Sequence, residues 1–252
     1  MKHWTHLLMK TGMSLEKENM IWNMTGSFFY AFASMVLSFL VLRIAGEEQG
    51  GIFSFGFSTV GQQMFLLAYF GIRPFHITDG TNQYRFGDYL HHRYVTCTLA
   101  LLLGVGYLAC IGYSWQKAQI IFLLIVYKVI DGFADVYESE FQRQGCLYLT
   151  GKSNFFRTVF SVAVFTVMLG AFKHLLFACL MAVAAQAMGV FLFNLDVIHA
   201  LDGVDWTFTK GKVTKLFKNT GFLFISVFLD FYIFSSAKYA IDARMNNAAS
   251  GY

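Results

Sequence analysis

Charged residues are scarce in this sequence. Only 13% of its 252 residues are Asp, Glu, Lys or Arg, whereas about a quarter is typical of a soluble domain. Hydrophobic residues make up 56%, and several runs contain no charged residue at all, at 19–42, 49–72, 94–116, 158–172 and 174–195. Most of these runs approach the roughly 20 residues that cross a bilayer as a helix. The composition therefore excludes an ordinary soluble domain and predicts a polytopic membrane protein.

Proline and paired cysteines are also rare. Pro74 is the single proline, so nothing in the apolar runs interrupts a helix. The four cysteines, at 97, 110, 146 and 179, are widely scattered and form no CxxC pair. This spacing supports neither a disulfide framework nor a zinc site. The sequence predicts no metal site, no cofactor and no nucleic-acid partner.

The apolar runs predict an all-α integral membrane fold with about seven transmembrane helices, at about 20–42, 52–72, 94–113, 118–137, 155–172, 175–198 and 219–240. Residues 1–19 are predicted to be a cytoplasmic interfacial segment. Residues 20–200 then form a six-helix lobe, and 201–218 a basic cytoplasmic linker. Ser153 or Asn154 is predicted to cap the fifth helix.

One stripe of charged side chains breaks the apolar pattern of the fourth predicted helix. Lys128, Asp131, Asp135 and Glu138 are followed one turn later by Gln142. At about 100° per residue, the five side chains fall within roughly 80° of one helical face. Ionisable groups facing lipid would each cost a few kcal/mol. The stripe is therefore predicted to face a protein interior or a water-filled cavity.

The distribution of Lys and Arg predicts the topology. With the N-terminus in the cytoplasm, 13 of the 19 Lys and Arg residues fall on the cytoplasmic side, five fall on the outer side, and Lys128 lies within a helix. The fourth helix then enters from outside, and its charged stripe occupies the cytoplasmic half. Any cavity beside the stripe is predicted to open toward the cytoplasm.

Several short blocks carry a resemblance to a known family. GIRPFHITD at 71–79 and YRFGDY at 84–89 resemble the segment after the second helix of Wzx-type oligosaccharide flippases, which belong to the multidrug/oligosaccharidyl-lipid/polysaccharide exporter superfamily. DVYE at 135–138, Gln142, GKS at 151–153 and Arg157 are similar to that family's region between helices four and five. LRIAG at 42–46 and KYAID at 238–242 resemble two further blocks. The resemblance extends over nearly the whole chain.

The resemblance implies a two-lobe transporter that moves an undecaprenyl-diphosphate-linked oligosaccharide from the cytoplasmic to the outer leaflet of the bacterial inner membrane. The chain is expected to be a truncated form, in which 219–252 contribute only the first helix of a second lobe. The implied substrate pathway comprises Arg43, Arg73, Lys128, Asp131, Asp135, Glu138 and Gln142. Arg43 and Lys128 are the expected intramembrane cations, and Asp131 and Asp135 the expected groups for ion coupling. Membrane lipids and other polysaccharide-assembly proteins are the expected partners.

Alternatives remain open beside this interpretation. A multidrug exporter of the same superfamily would share the architecture, and a membrane polysaccharide polymerase or acyltransferase is a runner-up of another class. Lys128 and Asp131 also suit an i,i+3 ion pair that only holds helices together. His76, His91 and His92 are predicted to be solvated polar residues. Because every predicted outer loop is short, transport is favoured over catalysis.

Overall fold

A computed structural model describes residues 3–81, 83–245 and 247 of the chain. This described part is helical and contains no β-strand, so the prediction of an all-α membrane fold is confirmed. Its helices, with bounds given in chain order, are α1 (His3–Met9), α2 (Leu15–Ala45), α3 (Glu47–Phe55), α4 (Gly61–Tyr69), α5 (Arg73–Thr78), α6 (Phe86–Ile111), α7 (Trp115–Arg143), α8 (Leu147–Phe172), α9 (Leu175–Val190), α10 (Asp196–Ile198) and α11 (Lys210–Arg244).

Among the residues that the structure describes, five helical stretches are long and apolar enough to cross a membrane: α2, α6, α8, the stretch 175–198, and α11. Two further stretches lie at the positions of the other predicted spans. One is the pair α3 and α4, which the π-helical segment Gly56–Val60 joins. The other is α7, in which every charged residue except Arg143 is buried among the neighbouring helices. A second π-helical segment, Phe191–Leu195, joins α9 to α10.

Helix α7 lies at the centre of the bundle and packs against α4, α5, α6, α8 and α9. Its first half contributes Ile120, Ile121, Leu124 and Ile125 to an apolar core shared with α3, α4, α8 and α9. Its second half enters a separate core at the other end of the bundle. Because neighbours surround α7, its charged face is shielded from the lipid by protein.

Helix α6 begins at Phe86, eight residues before its predicted start. The Asp88 carboxylate accepts the N–H of Arg85 (3.0 Å) and the N–H of Thr209 (2.7 Å). The first bond caps the N-terminus of α6, and the second ties it to the segment before α11. The segment between the second and third predicted helices, 73–93, is therefore mostly helical, and Arg93 lies inside α6 instead of before it.

Helix α8 begins at Leu147, so the prediction that Ser153 or Asn154 caps it is wrong. Both residues lie inside the helix. The chain turns from α7 into α8 at Gly145, which has a positive φ of 79°. Polar residues are tolerated here because they have partners in the protein. Lys152, for example, donates from Nζ to the carbonyls of Leu8 and Lys10 (both 2.9 Å), at the C-terminal end of α1.

Helix α11 begins at Lys210, so about half of the predicted linker is helical. It packs along α4 and α6, where the Phe224 and Phe70 rings stack with centroids 4.2 Å apart. Farther along, Asp242 pairs with Lys117 of α7 (2.6 Å). Most of the opposite face of α11 is exposed. The presence of a second lobe stays a prediction.

Asp79 organises the turn between α5 and α6. Its carboxylate accepts the N–H groups of Gln83 (2.9 Å) and Tyr84 (2.8 Å) and the hydroxyl of Tyr89 (3.2 Å). Partial burial alone would raise the pKa of Asp79, but the hydrogen bonds outweigh it and the net effect lowers this pKa. The folded state therefore favours the ionised carboxylate.

We expect Asp79→Ala to lower the free energy of unfolding by about 1–2 kcal/mol. Because the folded pKa of Asp79 is lowered, its stabilisation is present above the ordinary carboxyl pKa of about 4 and is lost as the pH falls through the folded value. Thermal unfolding of the wild type and of Asp79→Ala in detergent, between pH 7 and pH 3, measures how their difference in stability changes with pH. Asp202→Ala, at an exposed loop position, is the matched control. A difference between wild type and Asp79→Ala that persists unchanged at pH 3 would contradict the assignment.

Candidate functional site

The charged stripe of α7 points into the bundle. Lys128, Asp131, Asp135 and Glu138 are all buried, each with at most 6% of its surface exposed. Gln142, one turn farther on, is partly exposed. Buried charges need partners in the protein, because each isolated one would cost several kcal/mol. The neighbouring helices supply those partners.

Arg157 of α8 joins two of the carboxylates. Its Nη2 donates to Asp131 Oδ1 and its Nη1 to Glu138 Oε1, both at 2.7 Å. Asn194, in the second π-helical segment, contacts the same network by accepting from Arg157 Nη1 (3.2 Å) and donating to Glu138 (3.3 Å). The stem of Arg157 lies against Gly189, where an added Cβ would come within 2.8 Å of Arg157 Cγ. A side chain at 189 would therefore push the guanidinium out of place.

Asp135 is held by two arginines with different exposure. Arg93 of α6 donates from Nη2 to Asp135 Oδ2 (2.8 Å) and from Nη1 to the carbonyl of Ala68 (2.8 Å). Arg73, at the start of α5, donates to Asp135 Oδ1 and to Gln142 Oε1. The Arg93 side chain is fully buried, whereas 24% of the Arg73 side chain is exposed. Arg73 is thus the arginine of this pair that an arriving solute reaches first.

Lys128 has a different environment. Its ammonium donates to the hydroxyl of Tyr30 (3.2 Å), which in turn donates to Asp131 Oδ2 (2.6 Å). The ammonium also lies 4.1 Å from the centre of the Phe57 ring, a favourable cation–π distance. Lys128 forms no direct ion pair with any described residue, so the i,i+3 pair with Asp131 is absent. Tyr30 instead bridges the two charged groups.

A cavity of about 160 Å³ lies beside this network. It has room for several water molecules and has polar walls, the two conditions for a hydrated site. Its walls come from α2, α4, α5, α7 and α8, and are formed by Tyr30, Gln62, Phe65, Arg73, Asp131, Asp135, Glu138, Asn154 and Arg157.

The formal charge of the network is positive. The three carboxylates of Asp131, Asp135 and Glu138 are outnumbered by four cations, Lys128, Arg73, Arg93 and Arg157. The stripe of α7 alone carries one cation and three carboxylates, a formal charge of −2. The folded network carries +1, because three arginines reach it from α5, α6 and α8. Tertiary structure thus reverses the sign of the site.

The structure brings together six of the seven predicted pathway residues. Arg73, Lys128, Asp131, Asp135, Glu138 and Gln142 are in the network or directly bonded to it. Arg43 is not, because it is exposed at the far end of α2 and its guanidinium lies 5.2 Å from the Phe39 ring centre. Arg43 therefore lies outside the network, and its role as an intramembrane cation of the pathway stays a prediction.

Arg93 and Arg157 are the cations that the sequence argument missed. The predicted starts of the third and fifth helices are about eight residues late, which leaves Arg93 just before its helix and Arg157 only two residues after the start of its own. The pattern Arg85-x-x-Asp88 was the available signal for α6, since a carboxylate three residues after an N-cap can close a capping box. An apolar span that begins at Leu147 would likewise have placed Arg157 well inside the membrane.

A second polar cluster fixes α5 against the end of α7. His76 Nε2 is 2.8 Å from Glu140 Oε2, and the His76 ring stacks on Tyr89 with centroids 3.8 Å apart. Burial lowers the pKa of His76, although the bond to Glu140 acts to raise it. His76 and His92 are both fully buried, so the prediction that they are solvated is wrong. Within the described ranges, no three His, Cys, Asp or Glu side chains are grouped to hold a metal ion.

Comparison with known proteins adds no assignment to this geometry. The chain matches no protein-family model, no curated protein and no solved structure.

Proposed function

We propose that this chain is a transporter that flips an undecaprenyl-diphosphate-linked oligosaccharide across the bacterial inner membrane. The observation that carries the proposal is the buried network of formal charge +1 beside a polar-walled cavity of about 160 Å³, in a bundle of membrane helices. Ionisable groups at membrane depth commonly line the path of a polar solute. Transport is proposed over catalysis for the same reason.

The chemistry of the cavity wall suits a phosphorylated sugar head group. Arg73 presents a forked set of N–H donors that matches phosphate oxygens. Tyr30, Gln62 and Asn154 add neutral hydroxyl and amide groups that can hydrogen-bond sugar hydroxyls. Because Arg93 also neutralises Asp135, Arg73 can turn toward a phosphate without leaving that carboxylate uncompensated. The lipid tail would stay in the bilayer.

A multidrug exporter of the same architecture is the competing proposal. Tyr30 and Phe65 supply the aromatic surface that an organic cation would contact. The carboxylates disfavour this reading, since Asp131, Asp135 and Glu138 are each bonded to an arginine. An organic cation would have to displace those arginines, whereas an anion only needs Arg73 to turn.

Ion coupling through Asp131 and Asp135 is part of the proposal. In the described state both carboxylates are ion-paired with arginines. A coupling ion would have to take the place of an arginine beside them, so its binding would be linked to the conformational cycle. Flipping by Asp131→Asn and Asp135→Asn variants with an unchanged rate and pH dependence would eliminate this coupling.

We expect Arg73→Gln to weaken binding of a radiolabelled undecaprenyl-diphosphate-linked oligosaccharide to the purified protein by about tenfold or more. A hydrogen bond to a charged group contributes about 1.5–3 kcal/mol, and tenfold corresponds to about 1.4 kcal/mol. Arg43→Gln is the matched control, because it removes a cation outside the cavity. Equal losses for both variants, or none for Arg73→Gln, would count against the proposal.

Flipping itself is tested in proteoliposomes. The reconstituted chain is expected to make labelled glycolipid of the inner leaflet accessible to an added lectin faster than protein-free vesicles do. Arg73→Gln is expected to slow this exposure, and a quaternary-ammonium dye should not compete with it. Competition by the dye together with no glycolipid binding would favour the exporter.

A further inference from the structure

An apolar groove lies between the first turns of α7 and α9, at the opposite end of α7 from the charged network. Its volume is about 400 Å³, within the range of ligand pockets in proteins. Phe122 and Leu123 of α7 form one wall, and Leu176, Phe177 and Leu180 of α9 form the other. We infer that this groove binds one anionic phospholipid, whose acyl chain lies along these walls and whose phosphate is bound by Lys173 and His174.

The depth of the groove fits an acyl chain just below a head group. Helix α7 begins at Trp115 and α9 at Leu175, so the walls come from the first two or three turns of each helix. At 1.5 Å per residue, Leu123 lies about 12 Å from the start of α7. Trp115 is 78% exposed, as is typical of tryptophan at a membrane interface. Under the predicted topology the groove is in the outer leaflet.

The rim of the groove supplies donors for a phosphate. Lys173 ends α8 in the left-handed conformation, with φ 51°, and its side chain is exposed. His174 Nδ1 accepts the N–H of Phe177 (3.3 Å). In the neutral ring this bond leaves the proton on Nε2, which has no partner among the described residues and is available as a donor. The rim therefore presents one cation and one directed N–H group.

Selectivity in this site arises at the head group. Lipid tails are as apolar as leucine side chains, so an acyl chain gains little by exchanging bulk lipid for the groove. A basic residue near the membrane surface contributes about 1 kcal/mol toward an anionic lipid, which corresponds to about fivefold in occupancy. The predicted ligand is thus an anionic phospholipid such as phosphatidylglycerol, in preference to zwitterionic phosphatidylcholine.

The test uses the full chain reconstituted in nanodiscs with equal amounts of phosphatidylglycerol and phosphatidylcholine. Native mass spectrometry after release into detergent counts the retained lipids. We expect one retained lipid, with about a fivefold preference for phosphatidylglycerol. Lys173→Asn should abolish the preference, since Asn tolerates the left-handed backbone. Leu180→Trp should remove the retained lipid by filling the groove.

Two matched variants control for general effects. Lys218→Gln removes an exposed cation at the other end of the protein, and Leu102→Trp adds the same bulk at an exposed position of α6. Both should retain phosphatidylglycerol as the wild type does. Equal retention of the two lipids, or unchanged retention in Lys173→Asn and Leu180→Trp, overturns the inference. Displacement of phosphatidylglycerol by undecaprenyl phosphate at equal concentration overturns the choice of occupant. None of these readouts depends on flipping, so the inference fails or stands independently of the proposed function.

Discussion

Replacing Arg157 with methionine is expected to lower the free energy of unfolding by about 3–5 kcal/mol. The variant keeps the volume of the side chain but leaves Asp131 and Glu138, both buried, without the guanidinium that bonds them at 2.7 Å. An uncompensated carboxylate in a low-dielectric interior is strongly unfavourable. Equilibrium unfolding with SDS in mixed micelles measures the loss.

A charge-balanced variant distinguishes the loss of the two ion pairs of Arg157 from a local packing defect. Combining Arg157→Met with Asp131→Asn and Glu138→Gln removes the unpaired charges, and should recover a large part of the lost stability. Arg43→Met, at an exposed position outside the network, should change stability by no more than about 0.5 kcal/mol. If the triple variant is no more stable than Arg157→Met alone, the ion pairs are not the reason for the loss.

Replacing Gly151 with alanine is expected to produce the other large loss, of about 3 kcal/mol or more, because it forces two helix backbones apart. Helices α2 and α8 approach so closely that a Cβ at 151 would lie 2.1 Å from the carbonyl oxygen of Trp22. On the opposing helix, a Cβ at Gly26 would lie 2.6 Å from the carbonyl oxygen of Gly151. Backbone atoms cannot move aside as a flexible side chain can, so the cost is at or above the upper end of the 1–3 kcal/mol typical of overpacking. Thermal unfolding in detergent measures it.

The same helix provides the control. Gly170 also lies inside α8, but a Cβ there meets no atom within 4 Å. Gly170→Ala should therefore stabilise the protein by about 0.5–1 kcal/mol through helix propensity. Opposite signs for the same substitution in one helix would locate the effect at the contact between α2 and α8. A loss of similar size in both variants would show that it is not specific to this contact.

The Gly151→Ala substitution also bears on the proposed transport cycle. Tyr30 of α2 hydrogen-bonds Asp131, and Arg157 of α8 bonds the same carboxylate. The close contact at Gly26 and Gly151 thus fixes the distance between the two helices that form one side of the cavity. Gly151→Ala should weaken glycolipid binding as well as stability, since it displaces Tyr30 relative to Arg157.

Parts of the site followed directly from periodicity. Lys128, Asp131, Asp135 and Glu138 share one helical face, so any membrane helix that contains them must turn that face inward. The sign of the site did not follow. Counting α7 alone gives a formal charge of −2. The three arginines that change it to +1 lie in three other helices, at most 62 residues in sequence from the carboxylates that they bond. Helix packing decides which cation contacts which carboxylate. The periodicity of a single helix carries no information about that packing.

The sequence by itself determined that this protein is an all-α membrane protein with a charged helix at its centre. That conclusion needs only the length of the apolar runs and the free energy of a charge in lipid, which are both local properties. Tertiary structure alone decided that Arg43 lies outside the site, that Arg93 and Arg157 lie within it, and that Tyr30 stands between Lys128 and Asp131. Those outcomes depend on where each helix begins and on which glycines allow backbones to meet, because a shift of one residue rotates a side chain by about 100° around its helix.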